Sequence, residues 1–523
     1  MPSSADLIFI GMLGVLMLTP LSMKLLGDAG IGWHIRTGQQ ILATHAIPRV
    51  DSFSSSMQGR PWFAWEWVYD VVVGELDARL GPNGVVWFTA VVIAVVFAWM
   101  FRLMVTRGAD LLGALVLTLL AIAASMIHFL ARPHVVSWLL ALAWFWILDG
   151  LERASERGSV QSERRRWVWL LPCLMVLWVN VHGGFVLGFV LLGVFWLAAV
   201  WEWWTTAEGA IEGSLRRIAA LRRARLLTWV GLASAAASLV NPYGWKLHAH
   251  VYSYLTNRFL MDHIEEFQSP NFHGISQKCF AVLLLISMAA LAARGREVRA
   301  SGILIVLFAV YSGLYAARNI PVASVLLVMV IAPLLPPAIF GTGFFRRMAG
   351  IEMGLRWHLW PILAVLVTFL ISVNGGRIGS DQVADARFDP KRMPVLAVDY
   401  LEKQKIPGPI LSTDSWGGYL IYRLYPEAQV VVDDRHDLYG EEFLRSYLKM
   451  IRVERGWQEF LDGHENSCVV LPRDSALANV LIASGQWDAV YADDVAAVFR
   501  KREAGSLRQA QGRLSPPLRA GSE

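Results

Sequence analysis

The sequence predicts a polytopic α-helical membrane protein that carries a small α/β domain at its C-terminal end. Three observations lead there. The chain is 55% hydrophobic and only 17% charged, with a mean hydropathy of +0.45, whereas soluble domains are roughly 45–50% apolar and about 25% charged. Long apolar runs recur along the first 374 residues, and arginine clusters interrupt them at alternate turns only. The 23 Trp and 24 Phe suit the aromatic belts of two membrane interfaces. A net charge of +5 does not point to nucleic acid, because the arginines lie between apolar spans and mark topology instead.

An apolar run of roughly 17–25 residues can cross a bilayer. Such runs begin near Leu7, Val85, Leu111, Val135, Trp167, Phe185, Leu226, Phe280, Ile303, Val322 and His358, which gives about eleven helices. The first lacks a small-residue cleavage site and reads as a retained helix. Arg107, the group Arg153 to Arg166, the group Arg216 to Arg225, the group Arg294 to Arg299, and Arg346 with Arg347 all fall on one side of that arrangement. That side is therefore expected to be cytoplasmic, with the N-terminus inside and everything after about Gly375 outside. The expected organisation is a transmembrane domain over 1–374 with a large first outer loop at 27–84, an extracytoplasmic α/β domain over 375–502, and a disordered tail at 503–523.

In the C-terminal domain, Pro409–Thr413, Ala428–Val432, Cys468–Pro472, Ala489–Tyr491 and Ala496–Phe499 read as short strands. Helical stretches lie near Met393–Lys403, Gly440–Glu454 and Ser475–Ser484, so the alternation argues for a partly parallel sheet. Gly417 and Gly418 lack phosphate-loop spacing. Asp433-Asp434-Arg435-His436-Asp437 follows a strand and reads either as a ligand contact or as a salt-bridged loop. Cys173, Cys279 and Cys468 show no CxxC spacing, which supports neither a disulfide framework nor structural zinc.

The outer turns collect the unusual residues. They are ARPH (Ala131–His134), NVHGG (Asn180–Gly184), NPYGWK (Asn241–Lys246) and ARNIP (Ala317–Pro321). Each places polar groups at a helix end, where Gly, Pro and Asn also act simply as helix terminators. Four such turns on one side favour a shared polar pocket, because polar groups at membrane depth cost free energy. Arg132 and Arg318 suit phosphate oxygens. Asp28, Asp51 and Glu66 in the first loop can serve as general base or hold a divalent cation, and His34, His134 and His182 can titrate or hydrogen-bond. Asn180, Tyr243, Lys246 and Asn319 are further candidates for substrate contact, with Glu265 and Glu266 late in the loop that follows. A carboxylate base beside a cationic phosphate cradle suits group transfer from a lipid-linked phosphate donor. A transporter or a lipid- or glycan-binding protein without covalent chemistry is the competing expectation. It would place ionisable residues near the middle of its helices, where the spans here hold almost none.

The chain also resembles the C superfamily of glycosyltransferases, polytopic enzymes that use polyprenyl-phosphate-linked sugars, and in particular an uncharacterised bacterial subgroup. The resemblance rests on Trp33, His34 and Gly38; on Ile47, Pro48, Asp51, Phe53 and Ser54; on Pro61, Trp62, Glu66 and Trp67; and on WGGYLIYRLYPEAQVVVDDRHDLYG at Trp416–Gly440. It implies a glycosyltransferase fold in a bacterial cytoplasmic membrane, a polyprenyl-phosphate sugar as donor, and an acceptor glycan, lipid or protein. It also implies a catalytic acidic residue just after the first helix, which maps onto Asp28. Relatives often carry a second Asp two positions later, where this chain has Gly30. Asp28 then works alone, or Glu66 or Asp51 completes the site, with Mg or Mn held by Asp28 and Glu66 as one form of it, or the activity is lost.

Overall fold

The computed structural model describes residues 2–156, 162–207, 211–335, 343–355, 358–464, 466 and 468–502. The tail expected at 503–523 lies outside the described residues. The chain forms two compact units. The first comprises Met1–Leu26, Thr37–Ile47 and Phe63–Arg387, and the second Gly27–Arg36, Pro48–Trp62 and Phe388–Glu523. The expected first outer loop is thus divided between them.

The first unit is helical. Among the described residues, six helices are long and apolar enough to cross a membrane: Pro82–Thr106, Leu111–His128, His134–Ser155, Gly183–Thr205, Ile275–Glu297 and Ala317–Leu334. The bent pair Gly343–Gly354 and Leu359–Val373 makes a seventh crossing if taken as one span. The chain is a multi-pass membrane protein. The other expected crossings coincide with helices that are short or charged. Ser4–Leu18 has 15 residues, Leu170–Val179 has 10 and Ala300–Tyr315 has 16, while Ile211–Ser238 carries five arginines between Arg216 and Arg225. Among the described residues, length and composition carry six or seven crossings and do not confirm the expected eleven.

Pro82–Thr106 is the central span, with 72% of its apolar window buried against 22% for the peripheral Ile275–Glu297. Pro82 at its first turn and Gly81 with φ of +61° set where it begins. It packs on Ser4–Leu18, Trp67–Leu80, Leu111–Ser125 and His134–Glu156. Peripheral helices instead leave Leu285, Met288, Leu307 and Leu370 exposed, as helices facing hydrocarbon do. Acidic groups near one end of the spans are paired with the arginines. Asp149 meets Arg107 at 2.8 Å and Arg153 at 2.7 Å, and Arg223 meets Glu202 at 2.7 Å.

The second unit holds a four-stranded sheet. Numbering strands along the chain, β1 (Arg377–Ile378) and β2 (Asp381–Gln382) form a small hairpin in the first unit. The sheet contains β3 (Ile410–Ser412), β4 (Cys468–Pro472), β5 (Trp487–Ala492) and β6 (Ala496–Lys501) in the order β3-β4-β6-β5. The β3–β4 pair is parallel and the β4–β6 and β5–β6 pairs are antiparallel, so the sheet is partly parallel. The strand expected at Ala428–Val432 appears as isolated parallel bridges from Val430 to Ile410 and to Ser54. Helices Val395–Gln404, His436–Ile451 and Ala476–Ser484 match the expected stretches, and Asp414–Leu424 is an additional one.

Candidate functional site

Polar groups from five segments of the first unit interact at the ends of its helices. Glu66 is the residue before helix Trp67–Leu80, and its Oε1 lies 3.8 Å from Nε2 of His182 in the NVHGG turn. Asn180 braces the two segments. Its Oδ1 accepts from Trp67 Nε1 at 2.8 Å, its Nδ2 donates to the carbonyls of Val176 and Val240, and its own carbonyl accepts the Val68 N–H. From the ARPH turn, His134 Nε2 contacts the His128 carbonyl at 2.9 Å. From the ARNIP turn, Arg318 reaches Glu266 at 3.3 Å and lies 4.4 Å over the Phe267 ring. Arg132 and Arg318 both act electrostatically on His182 and on Glu266, and His134 and His128 act on Glu266 as well.

Burial separates the protonation states here. Burial pushes the His182 imidazole down to about 3, with Arg318 and Arg132 adding to it, so the ring is neutral at pH 7. Burial alone would raise Glu266, but Arg318 and Arg132 outweigh it and hold the carboxyl at about 2. Asp70, one helical turn beyond Glu66, is raised well above the carboxylate range by burial and then by the Glu66 charge. Arg318 is thus balanced by the Glu266 carboxylate, while the neutral His182 imidazole lies beside Glu66. Guanidinium groups such as those of Arg132 and Arg318 suit phosphate oxygens, and Glu66 suits a proton in transit.

The remaining expected residues divide by unit. In the first, Tyr243 Oη accepts the Ala64 N–H at 2.8 Å, Asn319 Nδ2 donates to the Ser312 carbonyl at 3.1 Å, and Lys246 is exposed. In the second, Asp28 is half-buried and its Oδ1 accepts the Gly30 N–H at 2.8 Å, at the head of helix Ile31–Thr44. His34 is buried and stacks on Trp33 at 3.6 Å. Asp51 is buried, with Oδ1 2.7 Å from Arg435 Nη1 and Oδ2 accepting from Ser54. Arg435 also forks onto Asp433 at 2.7 and 2.8 Å and lies over the Phe53 and Trp62 rings. In the Asp433–Asp437 run, Asp433 and Arg435 therefore form a salt-bridged loop, and Trp33 Nε1 donates to Asp434 at 3.0 Å. His128, Asp70, Ser137 and Trp178 carried no signal beyond being polar or aromatic within apolar runs. Glu266 was visible only as one of a common Glu pair. Among the described residues no group of three or more His, Cys, Asp or Glu side chains is arranged to hold a metal ion, so no step is assigned to Mg or Mn.

No family model and no curated protein sequence matches the chain. Solved structures with a similar fold include the archaeal oligosaccharyltransferase AglB from Archaeoglobus fulgidus, in complex with an inhibitory peptide and a dolichol-phosphate. Its TM-score is 0.56 at 10% identity, covering 90% of this chain and 68% of that one. They also include ArnT from Cupriavidus metallidurans bound to undecaprenyl phosphate, with a TM-score of 0.50 at 13% identity, covering 95% of this chain and 98% of that one. At such identities the likeness is one of fold. That shared fold is the polytopic membrane architecture that the sequence resemblance led us to expect.

Proposed function

We propose that the chain is a membrane glycosyltransferase that moves a sugar from a polyprenyl-phosphate-linked donor to an acceptor glycan, lipid or protein on the extracytoplasmic face of a bacterial cytoplasmic membrane. The observation that carries this reading is that Glu66 lies 3.8 Å from His182 at helix ends within this fold, where the charges of Arg318, itself 3.3 Å from Glu266, and Arg132 act on the imidazole. In the proposed step an acceptor hydroxyl attacks the anomeric carbon and its proton passes to the Glu66 carboxylate. The bond from that carbon to the phosphate oxygen breaks, and the polyprenyl phosphate leaves with the electron pair. Arg132 and Arg318 oppose the charge that gathers on the departing phosphate. The sequence resemblance gives the carboxylate role to Asp28, so both carboxylates are to be tested. The transporter reading gains no support from the spans, where Asp149 is paired with Arg107, the residue that caps the end of Pro82–Thr106.

Purified protein in lipid, supplied with a panel of polyprenyl-phosphate sugars, is expected to release the carrier phosphate. Glu66→Gln should lower the rate at least about a hundredfold if it is the base, and Arg318→Ala should mainly weaken donor binding. Loss of turnover in Asp28→Asn, with Glu66→Gln unaffected, would move the catalytic role to Asp28. Unchanged turnover in both carboxylate variants would sink the assignment.

A further inference from the structure

Two groups that can only donate fix the direction of a buried hydrogen-bond relay behind His182. The Gly184 backbone N–H points at His182 Nδ1 at 3.1 Å, so that nitrogen is an acceptor. The Trp178 indole N–H donates to Ser137 Oγ at 2.7 Å, which leaves the hydroxyl proton to turn toward the same Nδ1, 2.8 Å away. With Nδ1 taken from both sides, the one ring proton of the neutral imidazole sits on Nε2. That is the atom 3.8 Å from Glu66 Oε1. Trp178 is fully buried and Ser137 nearly so, which leaves water no room to replace either donor. Gly184 belongs to the same device, because a Cβ there would come within 2.6 Å of Nδ1 and 3.1 Å of Ser137 Oγ.

We propose that Ser137, Trp178 and Gly184 are positioning residues that lock His182 as its Nε2–H tautomer, aimed at Glu66. The histidine then presents a fixed N–H on the Glu66 side and takes no proton itself. The charged and titratable groups facing it are Glu66, Arg132, His134, Glu266 and Arg318. The catalytic meaning rests on Glu66 being the base of the transfer, whereas the relay itself does not. A pH–rate profile governed this way rises through a carboxylate titration and has no limb near the ordinary imidazole value of about 6.5.

The test is nitrogen NMR of the full-length protein in lipid with 15N-histidine, where a His182→Gln difference spectrum identifies the signals. The expected result is a proton on Nε2, a bare Nδ1, and no titration between about pH 5 and 8. Ser137→Ala should move the Nδ1 signal and populate the Nδ1–H form, and Ser137→Thr, which keeps the hydroxyl, should restore the native spectrum. Trp178→Phe keeps an aromatic ring, removes the N–H and should shift Nδ1 in the same sense; it serves where Ser137→Ala does not fold. In the transfer assay Ser137→Ala should lower kcat by up to about a hundredfold with donor KM unchanged, again restored by Thr. A proton on Nδ1, a ring that titrates near 6.5, or an Nδ1 signal indifferent to Ser137→Ala and Trp178→Phe would overturn the relay. The expected spectra without turnover of any donor would uphold the relay and count against the transferase reading alone.

Discussion

His436 Nε2 lies 2.8 Å from Asp414 Oδ2, and Tyr447 Oη donates to the other carboxylate oxygen at 3.1 Å. Burial by itself would lower the imidazole. The hydrogen bond and charge of Asp414, with Asp434 and Asp433 behind it, raise it above its ordinary value instead. A histidine raised in the folded state contributes stability that is fully present below its unfolded value of about 6.5. That stability is lost as pH rises through the folded value. Thermal unfolding of the C-terminal unit, followed by hydrogen exchange in β3 and β4, should therefore weaken as pH climbs above about 6.5. Asp414→Asn should cost about 1–2 kcal/mol at pH 6 and flatten the pH dependence. A wild-type profile that stays level across that range would show that the pair contributes nothing. The Asp433–Asp437 run was legible in sequence as a polar cluster after a strand. Its partners were not, because Asp51 lies 384 positions from Arg435 and Asp414 lies 22 from His436, and no local pattern encodes such pairings.

Helices Ile31–Thr44 and Trp67–Leu80 cross at Gly38 and Gly74. A Cβ on Gly38 would collide with the Asp70 carbonyl, and one on Gly74 would meet the Gln39 backbone nitrogen at 2.7 Å. The motif position Gly38 is thus explained by backbone contact and not by substrate chemistry. Gly38→Ala should lower stability in detergent by about 1–3 kcal/mol. Gly193→Ala, where a Cβ meets nothing within 4 Å, should leave it unchanged. Equal melting temperatures for the two variants would refute the crossing. The same physics hid helix Asp414–Leu424 from a reading by propensity. Gly417 and Gly418 are weak helix formers, yet a Cβ on either would strike the Asp433 backbone or the Ala29 carbonyl. The polar outer turns were legible as elements, because Gly, Pro and Asn beside His and Arg stand out against apolar runs. Which turns interact was not legible, since helix packing decides it.

For the whole molecule, the parity of the crossings decides on which side the candidate residues act, and here the sequence and the described helices diverge. Arginines at alternate turns argue for eleven crossings, whereas length and composition carry six, or seven with the bent pair. The difference lies in helices such as Ser4–Leu18, whose 15 residues span only about 22 Å at about 1.5 Å per residue, short of a hydrocarbon core of roughly 30 Å. A short helix can still cross when the bilayer thins or flanking residues snorkel, at fractions of a kcal/mol per Å. The arginine rule therefore outweighs length in deciding parity. Cysteines introduced one at a time, on a background lacking Cys173, Cys279 and Cys468, provide the check by labelling with a membrane-impermeant maleimide. Ser214→Cys, beside Arg216 and Arg217, should react only from the cytoplasmic side, whereas Ser253→Cys and Ser484→Cys should react only from the opposite side. Ser214 and Ser253 reacting from the same side would remove the crossing assigned to the apolar half of Ile211–Ser238. Ser484 reacting from the cytoplasm would make the number of crossings even and place the C-terminal unit on the cytoplasmic side.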